Sequence, residues 1–397
     1  MKALLKGLCV AALAASVAYA GDEKDLKKVI EDQGIYVETA QKGIVLSGYV
    51  DTSYTYQFAS KGTANGATGA GEANLRQFDT KSNSFNVNAF KLALEKALPD
   101  KNEYAAGFRA DLIFGQDAST VKNSATNNTA NSASDIWLEQ AYAQFRVPVG
   151  NGLDFKFGKF VTLLGYEVIE SPANLNFSRG LLFTNAIPLT HTGALASYKF
   201  NDSWDAQLGV VNGWNNDEST VSGGDSSLAV TGRVNYTFAG KNANIANSFI
   251  YSPNGDTQIG SSGEVFVWDM WAQWAPKFAN DKLLLAINTD LGNGSPYTNV
   301  NGATNNDTFY GVALYQKYQF TKVFSLAARE EYMHDSDGQK FGLANTETNA
   351  WSFTATAGFN IWENLLTRLE YRYDLAEADT INGTDQHQIA VNVVYTF

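Results

Sequence analysis

The sequence predicts an all-β protein, a transmembrane antiparallel up-and-down β-barrel of about sixteen strands with an inward-folded third long loop. Three observations predict this class. Apolar and polar residues alternate with a period of two over most of the chain from Gly43 onward. The connections between the alternating runs are short and long in turn. Aromatic residues, 13% of the chain, recur where the runs end.

The N-terminus has the features of a secretory signal peptide over residues 1–20. Lys2 and Lys6 precede the apolar stretch "GLCVAALAASV", and "AYA" forms a small-residue cleavage site. Cleavage would remove Cys9 and leave 27 basic against 41 acidic residues. A mature chain without cysteine excludes a disulfide framework, a thiol nucleophile and a cysteine metal site. Its acidity argues against a nucleic-acid partner.

Two further regions follow the signal peptide. Residues 21–42, beginning "GDEKDLKKVIEDQG", are charged and lack the alternating pattern, so we expect a periplasmic N-terminal segment. Residues 43–397 form the predicted barrel domain.

The last run shows the pattern from which each strand is predicted. In "QHQIAVNVVYTF", Ile389, Val391 and Val393 share one face, and Asn392 lies on the other. Strict alternation places Glu139 and Glu330 on apolar faces, which predicts bulges or register errors there. The predicted strands are 43–58, 84–98, 103–115, 135–147, 153–161, 191–200, 204–214, 227–238, 244–252, 263–276, 282–291, 308–320, 323–334, 348–360, 364–375 and 386–397.

The connections alternate in length, which places all short turns at one end of the barrel and all long loops at the other. Several turns have two to five residues, such as "TK" at 321–322 and "NDS" at 201–203. The long loops are rich in Asn, Gly, Thr and Ser and are expected to be solvated caps. They are 59–83, 116–134, 162–190, 215–226, 253–262, 292–307, 335–347 and 376–385.

An aromatic–x–Phe triplet closes four of the runs that end on the short-turn side. Aromatic rings favour the membrane–water interface, so these residues predict a periplasmic aromatic girdle. The predicted girdle is Tyr198, Phe200, Tyr236, Phe238, Trp274, Tyr318, Phe320, Phe359, Tyr395 and Phe397. The terminal Phe397 also resembles the signal that the barrel-assembly machinery recognises.

One long stretch resembles a known family. Residues 135–193, "DIWLEQAYAQFRVPVGNGLDFKFGKFVTLLGYEVIESPANLNFSRGLLFTNAIPLTHTG", resemble the OmpL-like β-barrel porin (porin-2) family, as do "SGYVDTSYTYQF" at 47–58 and "AAGFRADLIFG" at 105–115. The resemblance implies a porin of the bacterial outer membrane. Such a channel passes small hydrophilic solutes or ions passively. No single binding residue is carried over from the family.

The third long connection, 162–190, differs from the other loops because it is apolar and aromatic. We therefore expect it to fold inward and narrow the lumen, the alternative being that it packs on the barrel rim or on a neighbouring subunit. The predicted lumen and constriction residues are Arg109, Asp111, Lys156, Glu167, Glu170, Arg179, Arg233, Arg368, Glu370, Arg372 and Asp374. Their charges would create a transverse field across a pore or form local salt bridges that stiffen the wall.

Other functions remain as alternatives. A non-conducting surface barrel, acting as an adhesin or a structural envelope protein, would lack a continuous polar lumen. An enzyme would need a nucleophile constellation, but His191, His334 and His387 lie in no such motif. No cofactor or metal site is predicted. The expected partners are outer-membrane lipid, small hydrophilic solutes and possible trimer subunits, and the charge preference stays open.

Overall fold

The computed structural model describes residues 43–58, 75–126, 136–215, 228–253, 264–280, 282–294, 308–341, 346–380 and 383–397. The predicted signal peptide and the charged segment 21–42 lie outside these residues. Among the described residues, no helix has the length and apolar character needed to cross a membrane.

Sixteen strands account for most of the described chain. They are β1 Ile44–Gln57, β2 Ser84–Lys96, β3 Ala105–Phe114, β4 Ile136–Val147, β5 Leu153–Val161, β6 Thr190–Lys199, β7 Trp204–Val211, β8 Ala229–Thr237, β9 Ala243–Ser252, β10 Val265–Trp274, β11 Leu283–Asn293, β12 Thr308–Gln319, β13 Phe324–Asp335, β14 Thr348–Trp362, β15 Leu365–Thr380 and β16 Gly383–Thr396. The helices are α1 Gln116–Thr126 and α2 Leu181–Asn185, with single 3-10 turns at Ser171–Ala173, Lys277–Ala279 and Gln339–Phe341.

Each strand pairs with its neighbours in the chain, and β1 pairs with β16 to close the barrel. In that closing ladder Tyr49 lies opposite Thr396 and Gln57 opposite Gln388. Closure leaves no strand edge unpaired, which a barrel in hydrocarbon requires. The predicted antiparallel barrel of sixteen strands is therefore confirmed. The predicted long loop at 376–385 is wrong, because β15 and β16 extend until only residues 381–382 separate them.

The alternation places apolar side chains outside and polar ones inside. On β16, Val391 and Val393 are exposed on the outer wall, whereas Asn392 is fully buried on the inner face. Glu139 sits at an irregularity where Asp111 pairs with Gln140 and the next residue pairs with Leu138. The predicted bulge at Glu139 is confirmed, because this extra residue turns the carboxylate inward.

The predicted irregularity at Glu330 is wrong. The β12–β13 ladder runs without a shift past this residue, which pairs with Leu314. Glu330 remains on the outer face and accepts a hydrogen bond from Gln316 at 2.7 Å. The strand therefore stays regular, and the outward carboxylate is accommodated by its hydrogen bond to Gln316.

The main hydrophobic core lies inside the barrel, toward the long-loop end. Leu163, Leu182 and Phe183 of the third loop pack there with inward residues such as Val267 and Phe309. Two segments expected as solvated caps also enter this core. Residues 75–83 contribute Leu75 and Phe78, and α1 contributes Val121. Because these side chains bury apolar surface, part of the lumen toward the long loops is filled by packed side chains.

Aromatic side chains lie on the outer wall at both ends of the strands. At the short-turn end, Tyr198 packs edge-on against Phe200 at 5.0 Å, and Tyr318 against Phe320 at 4.7 Å. Tyr236 and Phe238 form the same pair at 4.9 Å. Trp274, Phe359, Tyr395 and Phe397 are exposed at this same end. At the loop end a second set, which the triplets did not predict, includes the pairs Tyr332–Trp351 and Tyr54–Phe85.

Candidate functional site

The third loop, residues 162–189 in the structure, crosses the lumen from β5 to the opposite wall. Its first residues are held by β9 and β11: Ser248 Oγ donates to the carbonyl of Leu163 at 3.0 Å, and the amide of Tyr166 donates to Asn288 Oδ1 at 3.0 Å. The loop then reaches β13, β14 and β15, where most of its polar contacts lie. The predicted inward fold of this loop is confirmed.

The inner face of β15 binds the backbone of the third loop through alternating charges. Arg368 donates to the carbonyls of Ser171 and Asn176, each at 3.0 Å. Glu370 accepts the amides of Phe177 at 2.6 Å and Ser178 at 3.0 Å. The basic Arg368 therefore binds loop carbonyls, and the acidic Glu370 binds loop amides.

Two further charges continue this alternation along β15. Arg372 Nη1 donates to the carbonyl of Arg179 at 2.5 Å, and its Nε donates to Asp374 at 2.8 Å. Asp374 also accepts from Arg76 Nε at 2.7 Å. All four predicted β15 residues point inward, but all are buried beneath the loop. They build the support of the constriction and do not face open solvent.

A second set of charges fixes the turn of the loop before α2. Arg329 on β13 donates to Glu167 Oε1 at 2.6 Å and to the carbonyl of Ser178 at 2.6 Å. Its Nε lies 2.8 Å from Glu331. The amide of Gly180 donates to Glu167 Oε2 at 2.6 Å. One guanidinium thus neutralises carboxylates from the wall and from the loop, as a buried charge requires.

Gly180 lies where no larger residue fits. A Cβ added there would lie 2.2 Å from Glu331 Oε1 and 2.7 Å from Glu167 Oε2. The carboxylates therefore approach the loop backbone closely because this residue lacks a side chain.

The segments before β2 and after β3 add their own ion pairs. Arg76 Nη1 lies 2.8 Å from Asp79, and Arg179 of the third loop lies 2.8 Å from Asp117 on α1. Burial raises the pKa of Asp117 to about 6, even though the Arg179 charge opposes the shift. Burial also acts on Asp79, but the charge of Arg76 prevails and lowers the pKa of that carboxyl.

A lysine fills a cage of three carboxylates near β2. Asp111, Glu139 and Glu170 bring one oxygen each within 4.8 Å of one another. Lys91 Nζ lies 3.0 Å from Asp111 and 3.0 Å from Glu139, and it also contacts Glu170. The ammonium group lies where a bound metal cation would lie. Its ion pairs connect Glu170 of the third loop to Asp111 and Glu139 of the wall.

The lumen surface that the loop leaves accessible lies toward the short-turn end. Arg109, Lys156 and Arg233 point inward there and are half-buried. Arg109 is paired, with Glu95 at 3.1 Å and Asp111 at 2.9 Å. A cavity of about 210 Å³ separates the third loop from the wall, lined by residues that include Tyr166, Asn174, Trp271, Gln273 and Tyr315.

Several residues of this site were absent from the sequence prediction. Arg329 and Glu331 continue a clean alternation on β13, so their inward position was accessible from the pattern. Arg76 and Asp117 lie in stretches whose polar composition suggested solvated loops, and no local signal marks them as buried. Lys317, on the inner face of β12, was also missed, although alternation with the outward Leu314, Tyr318 and Phe320 places it there.

These features define an outer-membrane β-barrel of the porin class, with a constriction loop fixed inside a closed sixteen-stranded wall. The chain belongs to the family described as "Putative beta-barrel porin-2, OmpL-like", whose model matches residues 43–397. It is therefore an outer-membrane porin. No curated protein sequence matches the chain.

Solved structures of outer-membrane channels share the fold. The outer membrane channel DcaP of Acinetobacter baumannii is 12% identical with a TM-score of 0.60, over 89% of this chain and 97% of that one. The anion-selective porin from Comamonas acidovorans is 10% identical with a TM-score of 0.60, over 89% and 99%. OmpT of Vibrio cholerae in its trimer form is 10% identical with a TM-score of 0.56, over 89% and 99%.

Proposed function

We propose that the protein forms a water-filled channel for small hydrophilic solutes or ions, which pass through the lumen that the third loop narrows. The observation that carries this proposal is the division of the inner face. The β13–β15 side is sealed by the loop, whereas Lys156, Arg233 and Lys317 remain partly accessible on the other side. Polar groups that stay accessible inside a barrel of this size are suited to hydrate a passing solute.

The predicted site residues divide into two roles under this proposal. Arg109, Lys156 and Arg233 line the route. Asp111, Glu167, Glu170, Arg179 and the four charges of β15 hold the constriction in place. In the second set, local salt bridges and hydrogen bonds prevail over a field across the pore, because nearly all of these side chains are buried and bonded to a partner.

Conductance of the purified, refolded protein in a planar bilayer tests the proposal. Discrete open steps support a diffusion channel. A folded, heat-modifiable barrel that gives no steps would contradict it and favour the non-conducting surface barrel.

We propose that the protein acts without catalysis. The three histidines make contacts of a structural kind: His191 lies 3.1 Å from Thr162 Oγ1, His334 lies 3.0 Å from Asn349, and His387 lies 2.7 Å from the Tyr371 hydroxyl. Phospholipid and peptide hydrolysis assays with the refolded barrel test this, and turnover abolished by a histidine substitution would contradict it.

We propose a homotrimer whose contact face includes the outer wall of β12–β15. Small residues there, Ala328, Ala355 and Ala357, border a groove of about 480 Å³. Glu330 faces outward beside it, bonded to Gln316, and a carboxylate is better accommodated against protein than against lipid. The trimer form of the structurally similar OmpT agrees with this assembly.

Chemical cross-linking in detergent tests the trimer. Ala355→Trp would fill the groove and shift cross-linked product from trimer to monomer. Ala206→Trp, on the outer face of β7, is the matched control and should leave the trimer intact. Equal amounts of trimer in both variants would place the contact elsewhere.

We also propose that Phe397 directs assembly by the barrel-assembly machinery. Its backbone already closes the barrel, with its amide 3.0 Å from the Gly48 carbonyl and its carbonyl 2.9 Å from the Gly48 amide. Phe397→Ala keeps these backbone bonds, so it should slow assembly in cells or with purified machinery while spontaneous folding in detergent stays normal. An equal loss in both settings would indicate a purely structural role.

A further inference from the structure

Four basic side chains lie at one level of the lumen, within five residues of the short-turn ends of their strands. Arg109 is the fifth residue of β3, Lys156 the fourth of β5, and Arg233 the fifth of nine in β8. Lys317 is the third from the end of β12. This level lies on the short-turn side of the third loop, along the accessible part of the wall.

Three of the four lack an acidic partner among the described residues. Arg109 is neutralised by Glu95 and Asp111, whereas Lys156, Arg233 and Lys317 form no ion pair there. Lys156 Nζ instead lies 4.7 Å from the centre of the Tyr142 ring. The Arg233 guanidinium lies 5.1 Å from the centre of the Trp271 ring. A ring face steadies a cation without cancelling its charge.

Acidic groups at the same level are fewer and mostly engaged. Asp154 is bound by Arg146 at 2.6 Å. Two acids oppose the charge of Arg233: Asp205, which among the described residues accepts the amide of Asn235 at 2.9 Å, and the buried Asp269, which accepts from Asn288 at 2.6 Å. The accessible charge at this level is therefore positive, although the whole chain carries a net charge of −12.

We infer that Lys156, Arg233 and Lys317 form an anion-selective belt, so that the channel prefers small anions over cations. This inference rests on the proposed channel function and specifies its solute class. Uncompensated charges between low-dielectric walls raise the local concentration of the opposite ion. An ion pair carries no net charge, so the paired groups of the wall change this field little at distances beyond the Debye length. That length is about 10 Å at 0.1 M salt.

Reversal potentials across a planar bilayer under a KCl gradient test the inference. The wild-type channel is expected to pass chloride over potassium by roughly two- to tenfold, with the preference shrinking at high salt. The triple variant Lys156→Gln, Arg233→Gln, Lys317→Gln should bring the permeability ratio to one or below. Asp205→Asn should move it in the opposite direction, toward stronger chloride preference.

Lys322→Gln is the matched control, because Lys322 is an exposed lysine in the short turn between β12 and β13, outside both strands. It should leave the wild-type ratio unchanged. Two results would overturn the belt while leaving the channel itself established. One is a wild-type channel that prefers potassium; the other is a wild-type permeability ratio in both the triple variant and Asp205→Asn. Absence of any conductance would overturn the channel and the belt together.

Discussion

Arg329 on β13 and Glu167 in the third loop form an ion pair of 2.6 Å that joins the wall of the barrel to its constriction, although 162 positions separate them in the chain. Both side chains are almost wholly buried, at 0% and 3% exposure. Because the same carboxylate also accepts the Gly180 amide, the pair fixes the position of the loop backbone as well as of the two side chains.

Breaking this pair should loosen the third loop. Glu167→Gln keeps the shape of the side chain but leaves the Arg329 charge with Glu331 as its one carboxylate partner among the described residues. Loss of one member of a buried pair costs about 3–5 kcal/mol. We expect a lower midpoint of thermal unfolding, followed by heat-modifiable gel mobility, and noisier conductance with frequent substates.

Glu264→Gln is the control for this variant. Glu264 is an exposed acid directly before β10 that accepts from the Tyr251 hydroxyl at 2.9 Å, and it belongs neither to the third loop nor to the β12–β15 face. Its midpoint and its conductance noise should match those of the wild type. Equal effects of both substitutions would show that the loop does not depend on the Glu167 pair.

The absence of a side chain at Gly180 should be as important as the ion pair. Gly180→Ala introduces a Cβ 2.2 Å from Glu331 Oε1, so the carboxylate or the loop must move. We expect the loop to shift, which widens the lumen and raises the single-channel conductance. Gly358→Ala is the comparison, since its Cβ meets only Ser325 Oγ, at 2.9 Å. A wild-type conductance in Gly180→Ala would mean that the loop contributes no constriction.

The strand pattern could be predicted from sequence because lipid and lumen impose a period of two on every strand. Even the Glu139 bulge followed, since a carboxylate on the apolar face required a local register change. The last connection was misjudged because the polar residues at 376–385 continue the strands above the membrane, where no lipid selects apolar side chains.

The site was less predictable because its partners come from distant segments. The alternation of Arg368 and Glu370 was visible, but nothing in the sequence shows that they bind carbonyls and amides of residues 171–178. Lys91 illustrates the same limit. Its three acidic partners lie on β3, on β4 and in the third loop, and only the closed barrel brings them together.

Removing the Lys91 charge should create a cation site. Lys91→Met leaves Asp111, Glu139 and Glu170 with oxygens within 4.8 Å and without their central ammonium group. Oxygen ligands at this spacing suit Ca²⁺. We expect a lower unfolding midpoint in chelator and partial recovery in millimolar Ca²⁺, whereas the wild type and Lys96→Met should respond to neither. A midpoint unaffected by Ca²⁺ would show that the cage collapses or takes up protons instead.

Asp117 should make part of the barrel's stability depend on pH. Burial raises its folded-state pKa to about 6 from an ordinary value of 3.8. A raised pKa means that the folded state holds the proton more tightly, so this contribution is complete below about pH 4 and is lost as the pH rises through 6. The difference corresponds to roughly 3 kcal/mol.

Asp117→Asn cannot lose a proton and should remove this part of the slope. The Arg179 charge is already included in that pKa, because it opposes the shift that burial causes. Unfolding midpoints measured between pH 4 and 8 test the prediction. The wild-type midpoint should fall relative to the variant as the pH rises toward 7, and parallel curves would show that Asp117 stays ionised throughout this range. Asp79→Asn should differ in kind, because the Arg76 charge holds the pKa of Asp79 below its ordinary value, so its curve should run parallel to the wild type above pH 5.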